Sequence, residues 1–234
     1  MTALEAHARP GSAQGLQAVL CDMDGTLVDT ERSWFATEVS VMADLGFRLG
    51  PEHAEHLLGS PMDPAVAYLI GVSGADIAPE ELERRINVRM VETLSSGVDL
   101  RPGAKRLLAE LDAARVPMAL VTASYRAIVD AVLPSLGAHH FGVTVAGDEV
   151  TLPKPHPEPY LKAAAALGVA PERCVVLEDS RTGVASGEAA GCAVVAVPSM
   201  TPIPDGPRRT VRTSLDDVDL AFLRRVVRRT TAAP

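Results

Sequence analysis

Short aliphatic runs alternate along this chain with stretches whose apolar positions recur every three to four residues. The runs fall at 18–21, 117–122, 143–146, 174–177 and 193–197. Near-continuous runs of this length read as strands buried on both faces. Between the later runs, 103–114, 125–136, 157–167 and 182–190 carry helical spacing. Strands alternating with helices predict an α/β fold built on a parallel sheet with right-handed crossovers.

One interval breaks the rhythm. From about 33 to 100 there is no comparable strand. Trp34, Phe35, Val39, Met42 and Leu45 recur at helical spacing, as do Ala65, Val66, Leu69 and Ile70, then Leu82, Ile86, Met90 and Leu94. Gly46, Gly59, Gly71 and Gly74 punctuate these segments. The pattern predicts a helical cap over 33–98, inserted into a core formed by 16–32 and 99–234, with residues 1–15 as a loose tail. The Pro-rich stretch 198–207 reads as a surface loop, and 215–227 as a terminal segment packing on the core.

Composition narrows the class. Apolar residues make up 47% of the chain and aromatics only 3%, so aliphatic side chains must fill the core. The net charge of −8 argues against nucleic acid as a partner. It also means that an anionic substrate needs local positive charge. No apolar run approaches the roughly 20 residues of a membrane span, so no membrane partner is expected. The first fifteen residues lack the apolar core of a leader. Cys21, Cys174 and Cys192 are odd in number and lie beside strand-like runs. They read as small buried apolar residues of a cytoplasmic protein rather than a disulfide framework. A redox role for Cys21, next to Asp22, is the less favoured alternative.

The chemistry concentrates at the ends of the strands. Asp22-Met23-Asp24-Gly25-Thr26 follows the run Ala18-Val19-Leu20-Cys21 and puts two carboxylates two residues apart where a strand opens into a loop. In open α/β sheets ligands bind outside the carboxyl ends of the strands. Two acids facing one pocket allow one to attack an electrophile while the other moves a proton. A divalent cation lets two anions sit together and receives an anionic substrate. Further along stand Val121-Thr122-Ala123-Ser124, Lys154-Pro155-His156-Pro157-Glu158-Pro159-Tyr160, and Val175-Val176-Leu177-Glu178-Asp179-Ser180 followed by Arg181-Thr182-Gly183. Each lies beside a strand-like run.

These four motifs, in this order, resemble those of the haloacid dehalogenase superfamily of phosphotransferases, over about residues 17–223. The resemblance implies a Rossmann-like core with a small helical cap after the first motif. It implies Asp22 as a nucleophile that forms an aspartyl-phosphate, and Asp24 as general acid and then base, with its carbonyl on the metal. It implies Asp22 and Asp179 as ligands of Mg²⁺, with Glu178 beside Asp179 as an outer or water-mediated ligand. Hard oxygen donors suit that ion. Thr122 would bind the transferring phosphoryl group through its hydroxyl, and Ala123 through its amide. Ser124 is expected to cap the next helix. Lys154 would neutralise Asp22 and the phosphoryl oxygens. Gly25 and Thr26 would shape the loop and offer amides to substrate. Asp29, Thr30 and Glu31 lie at the exit into the cap, where Thr30 serves as hinge, substrate contact or helix cap.

The second acid, Asp24, favours phosphoryl chemistry, because the dehalogenases of this superfamily lack it. The expected function is a Mg²⁺-dependent phosphatase of a small phosphorylated metabolite, a sugar phosphate or a phosphoglycolate-like acid. The alternative is a mutase resembling β-phosphoglucomutase, whose cap carries an Arg after a Gly. Here that stretch is Gly59-Ser60-Pro61-Met62, without Arg. A non-enzymatic binding protein would not need both acids. Among the histidines, His53 with His56 and His139 with His140 are close in sequence, but no Cys or third His has matching spacing, so zinc is not expected.

Overall fold

The computed structural model describes residues 15–231. All but Gly15 of the tail expected over residues 1–15 lies outside them. The sheet is fully parallel. Its strands are β1 (Ala18–Cys21), β2 (Met118–Val121), β3 (Val143–Val145), β4 (Cys174–Glu178), β5 (Ala193–Ala196) and β6 (Arg209–Val211). They lie in the order β3-β2-β1-β4-β5-β6, so chain direction across the sheet reverses at β1. In this topology the crevice beyond the end of β1 is the place for a ligand.

Strand alternation explains the two inner layers. Val19 and Cys21 of β1 pack to one side with Leu120, Val175, Leu177 and Val195, under helices α5 (Ala104–Ala113), α6 (Arg126–Leu136) and α9 (Leu220–Thr231). Ala18 and Leu20 face the other side, with Ala119, Val121, Val176 and Val194, under α7 (Glu158–Leu167) and α8 (Arg181–Ala189). Both faces are covered, so the strands need no polar side. The five expected strands occur, shifted at their ends by one residue at most. The three-residue edge strand β6 was not anticipated: Arg-Thr-Val is too short and too polar to register as an apolar run.

Between β1 and α5 the chain forms four helices: α1 (Glu31–Asp44), α2 (Ala54–Leu57), α3 (Met62–Ser73) and α4 (Pro79–Leu94). They enclose a core of their own around Val41, Met42, Leu69, Leu82 and Ile86. Met90 and Leu94, at the end of α4, join the core of the sheet instead. The two crossings into and out of this cap pair with each other. Asp29 N donates to Asp99 O and Arg101 N to Leu27 O, both at 2.9 Å, and Val28 bridges antiparallel to Leu100. The cap therefore stands on a two-stranded stalk directly beyond β1. No helix among the described residues is long and apolar enough to cross a membrane.

Candidate active site

The loop after β1 turns at Gly25, whose φ of +76° lies in the left-handed region. A Cβ there would come within 2.2 Å of Asp179 Oδ2. Gly25 is thus required twice, for the turn and for the approach of the loop to β4. Its amide donates to Val28 O at 2.9 Å, so it is spent on the turn and does not face substrate as expected. The Thr26 hydroxyl donates to Asp179 Oδ1 at 3.3 Å. Gly25 and Thr26 shape the loop and hold Asp179 from below.

Asp22 and Asp24 both line a cavity of about 220 Å³ between sheet and cap. Asp22 is buried, and its Oδ1 accepts from Lys154 Nζ at 2.7 Å. Lys154 Nζ also donates to Glu178 Oε1 at 2.7 Å and Val121 O at 2.9 Å. Burial opposes charge on this ammonium, but the Asp22 and Glu178 carboxylates outweigh it and hold Lys154 above its usual range. Burial raises Asp22, and so do Glu178, Asp179 and Asp24; Lys154 counteracts them. One cation thus faces a group of acids.

Three hydroxyls surround Asp24. Thr30 donates to its Oδ1 at 2.7 Å, and Thr122 and Ser124 donate to its Oδ2 at 3.1 and 2.8 Å. This corrects the expected role of Ser124. Helix α6 starts at Arg126 with Tyr125 in the capping position, and Ser124 turns to Asp24 instead. Thr30 does occupy the position before α1, but its side chain makes no capping bond. Ala123 lines the cavity beside Thr122.

Glu178 is fully buried and collects five donors. Lys154 Nζ and the Tyr160 hydroxyl, at 2.8 Å, reach Oε1. The amides of Asp179 and Ser180 and the Ser180 hydroxyl reach Oε2. Its oxygens are thereby committed to shaping the site. Gly183 makes room for it: a Cβ at Gly183 would stand 1.7 Å from Oε1. Burial, and next the Glu178 charge, push Asp179 up to about 7.

Ser199 was not anticipated. It lies in the stretch 198–207, expected to be surface loop, yet its hydroxyl meets Asp179 Oδ2 and Glu31 Oε1. One hydroxyl cannot donate to both. Burial raises Glu31, and the Ser199 hydroxyl bridges it to Asp179. No pattern in the sequence marks Ser199. Tyr160 and Gly183 were within the quoted motifs, and only their contacts with Glu178 give them a role.

Carboxylate oxygens of Asp22, Glu178 and Asp179 lie within 4.8 Å of one another. Three buried acids against one lysine leave uncompensated negative charge, and the donors are hard oxygens. With Glu178 committed behind them, Asp22 and Asp179 face the cavity and fit a divalent cation such as Mg²⁺. A second group joins Asp112 to His139 and His140 at the surface, away from the cavity. Cys21, Cys174 and Cys192 are all buried and unpaired. Burial raises the Cys21 thiol far above its usual range, which makes it inert.

The cavity lies at the reversal point of a parallel α/β sheet, with paired acids and a buried lysine on its floor, where enzymes of this architecture bind their ligands. The chain belongs to the haloacid dehalogenase-like hydrolases, whose family model matches residues 19–197. Within them it is a phosphoric monoester hydrolase. It is 37% identical to hexitol phosphatase A of Escherichia coli, over 87% of this chain and 88% of that one. Crystal structures of CbbY from Rhodobacter sphaeroides, one with phosphate and one with xylulose-1,5-bisphosphate, match 89% of this chain and 99% of theirs. Their TM-score is 0.79 at 29% identity.

Proposed function

We propose that the protein is a Mg²⁺-dependent phosphatase of a small phosphorylated carbohydrate and works through an aspartyl-phosphate. The observation that carries this reading is the pairing of two differently held acids on one cavity floor. Lys154 grips only Oδ1 of Asp22, and Oδ2 takes no hydrogen bond from the described residues. Asp24 is aimed by three hydroxyls. Asp22 attacks phosphorus; the bond to the ester oxygen breaks, and Asp24 delivers a proton to that oxygen. Asp24 then takes a proton from water, which attacks phosphorus and releases phosphate from Asp22. Lys154, the Thr122 hydroxyl and the Ala123 amide bind the phosphoryl oxygens. When bound, Mg²⁺ held by Asp22, Asp24 and Asp179 supplies positive charge to the phosphoryl group, with Glu178 behind fixing Lys154 and Asp179.

The cavity volume lies below the ~300 Å³ at which sites for drug-sized ligands begin, which suits a small metabolite. A mutase built on the same core must hold a second phosphate. Of the residues lining the cavity, Lys154 alone is a lysine, arginine or histidine, and it is committed to Asp22 and Glu178. The phosphatase reading is tested by incubating the protein and Mg²⁺ with phosphorylated sugars and polyols and measuring free phosphate. Release of phosphate, lost in Asp22→Asn, is expected. Transfer to a second sugar without release overturns the reading in favour of a mutase.

A further inference from the structure

Helix α1 turns Glu31, Trp34 and Glu38 toward the cavity, at spacings that place them on one helical face. Glu38 is the unusual member. It is 5% exposed, and its carboxyl makes no hydrogen bond or ion pair with any described residue. A buried carboxyl without partners is costly, so such groups are normally paired. Glu38 opens onto the space where the rest of the substrate, beyond its phosphoryl group, must lie. A ligand that fills this space and shuts it off from solvent must return hydrogen bonds of its own.

We propose that Glu38 determines specificity, its carboxyl binding hydroxyls of a neutral polyhydroxy monophosphate and turning away substrates with a second anionic group. The inference rests on the phosphatase reading above and names the substrate class within it. Charge supports it. The cap gives the cavity two acids, Glu31 and Glu38, and no cation. A second phosphate or a carboxylate would enter a low-dielectric space in which the cap offers no cation to neutralise it. Chemistry supports it too. Burial lifts Glu38 to about 7, so at neutral pH its carboxyl both donates and accepts, as a sugar hydroxyl does. The Asn87 amide lines the same cavity from α4 and offers both roles as well. The phosphoglycolate-like acids allowed by the sequence fall outside this class.

The test compares kcat/KM, with Mg²⁺, for a panel of sugar and polyol monophosphates, each paired with its bisphosphate, and for 4-nitrophenyl phosphate. The best monophosphate should exceed its bisphosphate at least tenfold in the wild type. Glu38→Gln should lower the monophosphate value by about tenfold, mostly through KM, as for loss of a hydrogen bond to a charged group. It should also narrow the preference over the bisphosphate. Equal use of both members of every pair overturns the inference, as does a preference unchanged in a folded Glu38→Gln. If the variant does not fold by circular dichroism, the wild-type preference alone decides. Failure of the wild type on 4-nitrophenyl phosphate as well as on the panel overturns the phosphatase reading, and this inference with it.

Discussion

The Thr30 hydroxyl donates to Asp24 Oδ1 at 2.7 Å, which ties the acid proposed to move protons to the residue immediately before the first cap helix. The side chain that orients Asp24 is therefore anchored in the stalk that carries the cap. Thr30→Val keeps the shape and removes the donor. We expect kcat to fall about tenfold, the scale of one hydrogen bond to a charged group. The loss should be greater for an alkyl phosphate, whose leaving oxygen needs the proton, than for an aryl phosphate. Comparing the two substrates checks it; an equal loss would assign Thr30 to structure alone.

Asp22→Asn should abolish turnover, by several orders of magnitude, as for loss of a nucleophile. Burial and three neighbouring acids disfavour charge at Asp22, so the amide relieves repulsion. Lys154 keeps Glu178 as a partner. The melting temperature in chelator should thus be equal to or above that of the wild type. A cooperative melt without phosphate release is the expected pair of results.

Chelator should silence the enzyme and Mg²⁺ should restore it, with Asp179→Asn raising the Mg²⁺ concentration needed. The metal-free protein should also have a pH signature. Asp179 sits at about 7 in the fold, against about 4 in the unfolded chain. Between these values the fold holds a proton that the unfolded chain has released, so stability falls as pH rises through this window. Melting temperatures at pH 5, 6 and 7.5 should decline in chelator, recover at pH 7.5 with Mg²⁺, and decline less in Asp179→Asn.

Gly183→Ala places a methyl group where Glu178 Oε1 now lies. The strand and helix cannot separate cheaply, so Glu178 must move and Lys154 loses its second anchor. We expect a destabilisation of about 1–3 kcal/mol, as for overpacking of a tight core, with at least a tenfold loss of kcat. Chemical denaturation and steady-state kinetics measure the two effects. A wild-type kcat in this variant would show that the placement of Glu178 is not needed.

Much of the core was legible in the sequence because its signals are local. Uninterrupted aliphatic runs follow from a sheet covered on both faces, and the candidate acids Asp22 and Asp179 stand directly after β1 and β4. The cap's helices were visible from the spacing of Met42, Leu69, Leu82 and Ile86, which form its interior. What escaped was set by contacts distant in sequence. Ser199 reaches Asp179 across a loop that looks like solvent-facing linker, and Ser124 prefers Asp24 to the helix it precedes. A hydroxyl has no sequence pattern that distinguishes a cap from a partner for a distant carboxylate. Glu38 was lost for the same reason. On α1 it reads as one more polar position, and only its burial without a partner sets it apart.

The cap keeps a hydrophobic interior of its own, joined to the core of the sheet only through Trp34 and the end of α4. The walls of the cavity therefore lie along a seam between two packed bodies. Polar side chains there that belong to neither interior, such as Ser60 and Asn87, can change while the acids, Lys154 and the cradle of Glu178 stay as they are. Such a molecule is evolvable in a specific sense. On the phosphatase reading, single substitutions along the seam change which metabolite fits and leave the chemistry beneath in place.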